Sequence, residues 1–302
     1  MAQGYEYFTD ENSGQRGAIE RTTGEVLSTH LVEVPSGTIF YTPEQQRAYK
    51  ARKKAETEKE LRRICNKPLG NFFFVLSQEQ FDGIVPETVT RLIYLNTFLC
   101  YEDNRLMITQ RTPMKRKDLS AVLKLSKATV SRFWNEVSSK YITEDESGLI
   151  FTNGSIFQKG NIKKTPEHYR YLKCYVTSIR KLYLSTISRN HRQLGYLFKL
   201  LPFINVEYNL ICNNPLESEL DKLELLSVAD FCRLIGYDIA HINKLLDIYQ
   251  SIYFDVNGTQ ERFCAITYDG INKAGAKICI NPHILYSGGN YQQVKILGAF
   301  CK

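Results

Sequence analysis

A chain of 302 residues exceeds one ordinary domain and points to two or three folded units. With 43% hydrophobic and 24% charged residues it has the apolar mass for packed cores, which excludes disorder over the whole length. Its 39 Lys+Arg against 32 Asp+Glu leave a net charge of +7, and the meaning of that mild basicity depends on where the excess sits.

Residues 1–67 differ from the rest and read as a polar N-terminal arm. Between Ala18 and Tyr41 the stretches Glu25-Val26-Leu27 and Leu31-Val32-Glu33-Val34 predict a short hairpin. Pro43 to Arg63 is a strong helix former with almost no apolar stripe, so that helix is exposed or becomes ordered on a partner. Two readings stay open for it: a basic arm along phosphate, or a solvated connecting helix.

A first globular unit is expected over 68–160. Pro86 to Tyr101 predicts a helix whose apolar face is Val89, Leu92, Ile93, Leu95 and Leu99. Leu106-Met107-Ile108 predicts a short strand, and two short helices follow, Met114 to Leu123 and Lys127 to Val137. Strand-like Tyr141-Ile142 and Leu149-Ile150-Phe151 flank the acidic turn Thr143 to Gly148. A second unit is expected over 161–302. Its predicted helices are Tyr171 to Tyr183, His191 to Leu201 (stopped by Pro202), Ser227 to Ile235 and Ile239 to Tyr249. Ser227 with Asp230 forms an acidic variant of the capping box. Glu207 to Cys212, Ile252 to Val256, Arg262 to Tyr268 and Lys277 to Ile280 are expected to be strands.

The two units can be laid over each other. DLSAVLKLSKATVSRFW, Asp118 to Trp134, aligns without a gap on DFCRLIGYDIAHINKLL, Asp230 to Leu246. Leu119 meets Phe231, the expected helix caps Ser126 and Asp238 coincide, and Val130 meets Ile242. Ala128 and Ala240 are expected at a close helix crossing near the turn. Gly236 suits a left-handed turn residue, while its counterpart Lys124 is less comfortable there. Further on, both copies keep Asn-x-x-Ile-x-x-x-Gly directly after a strand, Asn153 to Gly160 and Asn281 to Gly288.

Between Thr112 and Lys140 the chain carries a local excess of +5. Burying Val130, Phe133, Trp134 and Val137 leaves Lys127, Thr129, Ser131, Arg132 and Asn135 on the open sides of the second helix. Arg and Asn can read base edges, and Ser or Thr can serve bases or phosphates. Lys115, Arg116, Lys117 and Lys124 flank them as phosphate clamps. In the second copy the exposed set is His241, Asn243, Lys244 and Asp247, and Ser227 to Gln250 sums to −1, a poorer surface for phosphate. Partner contact, dimerisation or packing on the first unit stay open for it. Lys159, Lys163, Lys164, Arg170 and Lys173, around the join, offer further backbone contacts.

Catalysis finds little support: there is no phosphate-cradling GxxxxGK[ST], no His-x-His pair, no HExxH and no clustered carboxylates, so neither cofactor nor metal is expected. The eight cysteines stand singly without a CxxC, as buried thiols of a reducing compartment. The N-terminus lacks the basic start and apolar core of a signal peptide, and no apolar run approaches the ~20 residues that span a bilayer. A cytoplasmic location without membrane contact is expected.

The segment from Leu92 through Gly160, with DLSAVLKLSKATVSRFWNEV leading to IFTNGSIFQKG, resembles the RepL-type replication proteins of Firmicute plasmids and the MarR-like winged-helix regulators. The closing KICINPHILYSGG resembles the same element's wing, and the whole resembles proteins of Bacillus phages and mobile elements that carry it twice. The resemblance implies double-stranded DNA binding by the helix Lys127 to Val137, in replication initiation or transcriptional control. The expected fold class is α+β, predominantly helical, with two tandem winged helix-turn-helix units and small β-wings. A homodimer stays open as an assembly. The rival reading is a winged-helix interaction protein that binds a host replication or transcription factor without reading DNA.

Overall fold

One run of residues buries no face: from Glu44 to Ile64 every position is exposed. These residues lie in α1 (Pro43–Asn66) of the computed structural model, which describes residues 5–9, 16–27, 43–101, 103–160, 170–268, 273–298 and 300–301. The chain divides into two compact units, Met1–Thr57 and Glu58–Lys302, with the division inside α1. The first holds an antiparallel sheet of β1 (Tyr5–Thr9), β2 (Arg16–Glu20) and β3 (Val26–Leu27). Glu25-Val26-Leu27 therefore supplies a strand as expected, whereas Leu31 to Val34 lie outside the described residues.

The unit Glu58–Lys302 is a mixed α+β fold with small antiparallel sheets. It opens on β4 (Phe72–Leu76) and α2 (Pro86–Leu95). Proline sits at the first helical turn of α2, where its missing N–H costs nothing, and Val89, Leu92, Ile93 and Leu95 are buried. The helix stops short of the expected Tyr101. Asn96 turns its side chain back onto the Leu92 carbonyl (2.8 Å), one 3-10 turn follows, and Leu99 joins Leu106 in a β-bridge. Next come α3 (Leu119–Leu123), α4 (Lys127–Val137), β5 (Ile142–Glu144), β6 (Ile150–Thr152) and β7 (Phe157–Gln158).

The expected helix from Tyr171 to Tyr183 needs correction. Tyr171–Tyr175 is strand β8, which pairs with β4, and α5 begins only at Val176 (Val176–Ser185). The alternation of buried Leu172 and Cys174 with half-buried Tyr171 and Lys173 is the period-two pattern of a strand. The chain continues through α6 (His191–Phe198), α7 (Val228–Ile235) and α8 (Ile242–Ser251). Two hairpins follow, β9 (Tyr253–Val256) with β10 (Thr259–Arg262), and β11 (Cys264–Thr267) with β12 (Lys277–Ile280). The last element is α9 (Tyr291–Leu297). Glu207 to Cys212 contributes only the bridges of Leu210, Ile211 and Cys212.

The same hydrogen bonds recur in both halves at matching positions. Met107 donates to Phe98 O and Cys212 to Phe203 O, both at 2.8 Å, and Asn104 and Asn209 hold left-handed φ angles of 58° and 54°. Met114 to Leu106 O (2.8 Å) matches Leu226 to Ile211 O (2.9 Å), and Leu125 to Ser120 O (3.1 Å) matches Tyr237 to Cys232 O (2.8 Å). The two Asn-x-x-Ile motifs also fold alike. Asn153 N donates to Tyr141 O and Asn281 N to Phe263 O, while their side chains donate to Lys140 O (2.8 Å) and Arg262 O (2.9 Å). Each motif then feeds an edge of one shared sheet. Leu76 N meets Ile156 O in the first half, and Tyr175 N meets Ile284 O in the second. Phe74 and Lys173, equivalent positions of the two halves, face each other in the β4–β8 register, so an approximate twofold axis passes between them.

Where α2 meets α6, the halves touch most closely. A methyl group at Gly195 would overlap the Pro86 carbonyl, and the Thr90 hydroxyl donates to His191 O (2.7 Å). One continuous hydrophobic core runs from Phe73 to Leu285 through both halves. Among the described residues no helix is long and apolar enough to cross a membrane.

Candidate nucleic-acid interface

The basic face is built by α3 and α4. Lys115 N donates to the Asp118 carboxylate (2.9 Å), which opens the 3-10 turn Arg116–Asp118 ahead of α3. Lys124 closes α3 in a left-handed conformation, φ 53° and ψ 46°, and reverses the chain within two residues. Ser126 then caps α4, its hydroxyl accepting from Thr129 N (3.3 Å). Val130, Phe133, Trp134 and Val137 are all buried, as the 3.6-residue period predicts.

What remains outward is cationic. Lys127, Ser131, Arg132 and Asn135 are exposed on α4, and Lys115, Arg116, Lys117 and Lys124 are exposed beside it. No ion pair among the described residues engages any of these six cations. Two of them are nonetheless positioned. The Lys115 ammonium donates to Ser147 O (3.1 Å) in the β5–β6 turn, and the Arg116 guanidinium lies 4.8 Å over the Trp134 ring. The Arg116 head thus lies against α4, and the Lys115 head lies against the β5–β6 turn.

Three residues depart from expectation. Thr129 is half-buried and its hydroxyl meets that of Ser126 at 2.9 Å, so it belongs to the cap rather than to the outward row. Ala128 and Ala240 are exposed and make no helix crossing. At 100° per residue Ala128 falls between Arg132 and Asn135 at the middle of the outward face, on the side opposite Val130 and Phe133. Around the join, Lys159 spends its ammonium on Leu99 O (2.9 Å), and Lys173 lies 5.1 Å over the Phe72 ring. Burial lowers the pKa of both lysines and of Arg170. Lys163 and Lys164 lie outside the described residues.

The β5–β6 turn is acidic, with Glu144, Asp145 and Glu146 exposed. Asp145 accepts from Ser147 N (3.0 Å) and Leu149 N (2.8 Å) and so holds the turn. This tip would repel phosphate, which confines the favourable field to α4 and the segment before α3.

In the second half the Ser227–Asp230 box opens α7, Gly236 takes the left-handed position at φ 67°, and Asp238 accepts from Ala240 N (2.9 Å). Ile242, Leu245, Leu246 and Tyr249 are buried, and His241, Asn243, Lys244 and Asp247 are exposed as expected. An open cleft beside α8 is lined by Arg189, Gln193, Lys244 and Asp247, a mixed rather than basic surface.

The two halves differ in one link. Residues 108–112 link the matched bridges of the first half, whereas 213–224 do so in the second. The longer link is well tied, with Asn205 donating to Glu217 O (2.8 Å) and Asn214 to Lys222 O (2.9 Å). It nevertheless leaves Leu216 67% and Leu220 41% exposed among Glu217, Glu219 and Asp221. Only the length mismatch between the copies signals it in the sequence. Comparison with protein families, with curated proteins and with solved structures finds no match to the chain.

Proposed function

We propose that residues 68–160 and 161–302 are two winged helix-turn-helix units, and that the first binds double-stranded DNA with α4 in the major groove. The observation that carries this reading is the division of α4: one face buried, the other presenting Lys127, Arg132 and Asn135 without an acidic partner among the described residues. Ala128 at the centre of that face lets the helix approach the groove floor, and Arg132 and Asn135 suit guanine and adenine edges. Arg116, Lys117 and Lys124 serve phosphates while the acidic β5–β6 tip stays clear of the backbone, and Lys115 joins them by leaving Ser147 O in that turn. The role is regulatory rather than catalytic, in replication initiation or transcriptional control on a phage or other mobile genome, as the resemblance of Leu92 to Gly160 suggests.

The test is a binding titration on a duplex selected from a random library. Arg132→Ala is expected to cost about 1–3 kcal/mol on the selected site and to relax preference at one base pair. Replacing Lys115, Arg116 and Lys117 together by Ala should weaken all sequences alike and flatten the salt slope. Equal binding by parent and Arg132→Ala removes Arg132 from base reading; an unchanged slope removes the flanking cations from phosphate.

A second reading concerns the second unit alone. The acidic, leucine-bearing link 213–224 favours contact with another protein, such as a host replication or transcription factor. Salt separates the two: phosphate binding weakens steeply as salt rises, and docking through Leu216 and Leu220 changes far less.

A further inference from the structure

The N-terminal half of α1 carries Arg47, Lys50, Arg52, Lys53 and Lys54 with no acid between Gln45 and Ala55, whereas Glu56, Glu58 and Glu60 balance Lys59, Arg62 and Arg63 in the other half. A helix that merely bridges solvent has no need to segregate its charges in this way. The placement is more specific than the count. At 100° per residue Arg47, Lys50, Lys53 and Lys54 fall within one arc of about 120°. Arg52 falls on the other side and pairs there with Glu56 at 3.0 Å. No described residue pairs with the four of the arc. The helix has no buried face between Glu44 and Ile64, so packing does not stabilise this part of it. Its ion pairs, Arg52–Glu56 and Arg63–Glu60, contribute only a few tenths of a kcal/mol each.

From these observations we infer that the Arg47–Lys50–Lys53–Lys54 stripe of α1 is a second nucleic-acid contact, one that follows the phosphate backbone of duplex DNA without reading sequence. The stripe spans about 10 Å of helix, the axial rise of about three base pairs. A membrane surface fits less well. An interfacial helix needs an apolar face opposite its cations, and here Tyr49 and scattered alanines are all that segment 43–57 offers. The inference rests on the DNA-binding reading above but uses residues outside the α3–α4 face.

The experiment is a salt titration of the full chain on a random-sequence duplex of 40 base pairs. The variant carries Arg47→Ala, Lys50→Ala, Lys53→Ala and Lys54→Ala; alanine favours helix, and circular dichroism checks that helix content is kept. The log–log salt slope is expected to be shallower by about 3 to 4, at about 0.9 per phosphate contact. The control pair Arg52→Ala with Glu56→Ala should leave the slope where it was. DNA should also shield Lys50, Lys53 and Lys54 from an acylating reagent. A parental slope in the fourfold variant, or an equal loss in the control pair, overturns the inference while leaving any Arg132 effect intact. A parent that binds no duplex overturns both readings. Loss of binding to phosphatidylserine vesicles with an unchanged duplex slope reassigns the stripe to a membrane and sinks the proposal.

Discussion

Lys124 and Gly236 occupy the same turn in the two halves, both with left-handed backbone, at φ 53° and 67°. Glycine adopts that region freely, whereas a residue with a Cβ pays about 1–2 kcal/mol there. Nothing in the described residues pairs with the Lys124 side chain, so the lysine at this turn presents a cation without gaining a contact. Lys124→Gly is therefore expected to stabilise the fold by about 0.5–1 kcal/mol, raising Tm by a few degrees, and under the proposed DNA-binding function to weaken duplex binding by one phosphate contact. Thermal melts with the salt titration check both halves of that statement, and a lower Tm refutes the strain argument. Residues of this kind are legible in a sequence because their chemistry is local: Ser126, Ser227 and Asp238 act within three positions of themselves.

Among the elements, α4 and α7 begin where their caps place them, at Lys127 and Val228. Elements set by distant partners were harder to read. β8 has helix-compatible residues and becomes a strand because β4, some hundred positions earlier, offers a ladder from Phe72 to Leu76. α2 loses its expected last turns to the Leu99–Leu106 bridge. The α2–α6 contact depends on a single missing side chain. Gly195→Ala would drive a methyl group into the Pro86 carbonyl, and backbone cannot rotate aside as a side chain can. The expected loss is about 1–3 kcal/mol, read as a lower midpoint in urea with an unchanged m-value. A parental midpoint would show that the two helices can separate without cost.

At the scale of the molecule, the C-terminal segment is fastened by a buried carboxylate. Glu261, 2% exposed, accepts from His283 Nδ1 (2.8 Å), Asn281 Nδ2 (2.9 Å) and Lys295 Nζ (3.0 Å). Burial alone would raise its pKa, but the three donors outweigh that and hold it at about 2, below the ordinary 4.5. A carboxylate depressed on folding contributes stability that is complete above its unfolded pKa and is lost as pH falls through the folded value. Stability should thus decline between about pH 5 and pH 2 as Glu261 is protonated. Glu261→Gln should be less stable than the parent at pH 7 and should converge with it near pH 2. Parallel pH profiles of parent and variant in urea unfolding would remove Glu261 from the acid response. The network ties α9, through Lys295, to the Asn281 turn and to β10, elements far apart in sequence.

Taken by itself, the amino-acid order determined the local devices: the caps, the buried row of α4, the basic stretch before it, and the recurrence of Asp118–Trp134 in Asp230–Leu246. These follow from spacing within a few residues, where the chain's own periodicity decides which side is apolar. Tertiary structure alone decided that Phe74 faces Lys173 across a shared sheet, that Gly195 lies on Pro86, and that Lys159 and Lys173 turn inward. It also decided that Thr129 serves its cap and that Ala128 looks outward. The physical reason is that pairing and burial depend on groups brought together from distant parts of the chain, and no local pattern encodes which of them will meet.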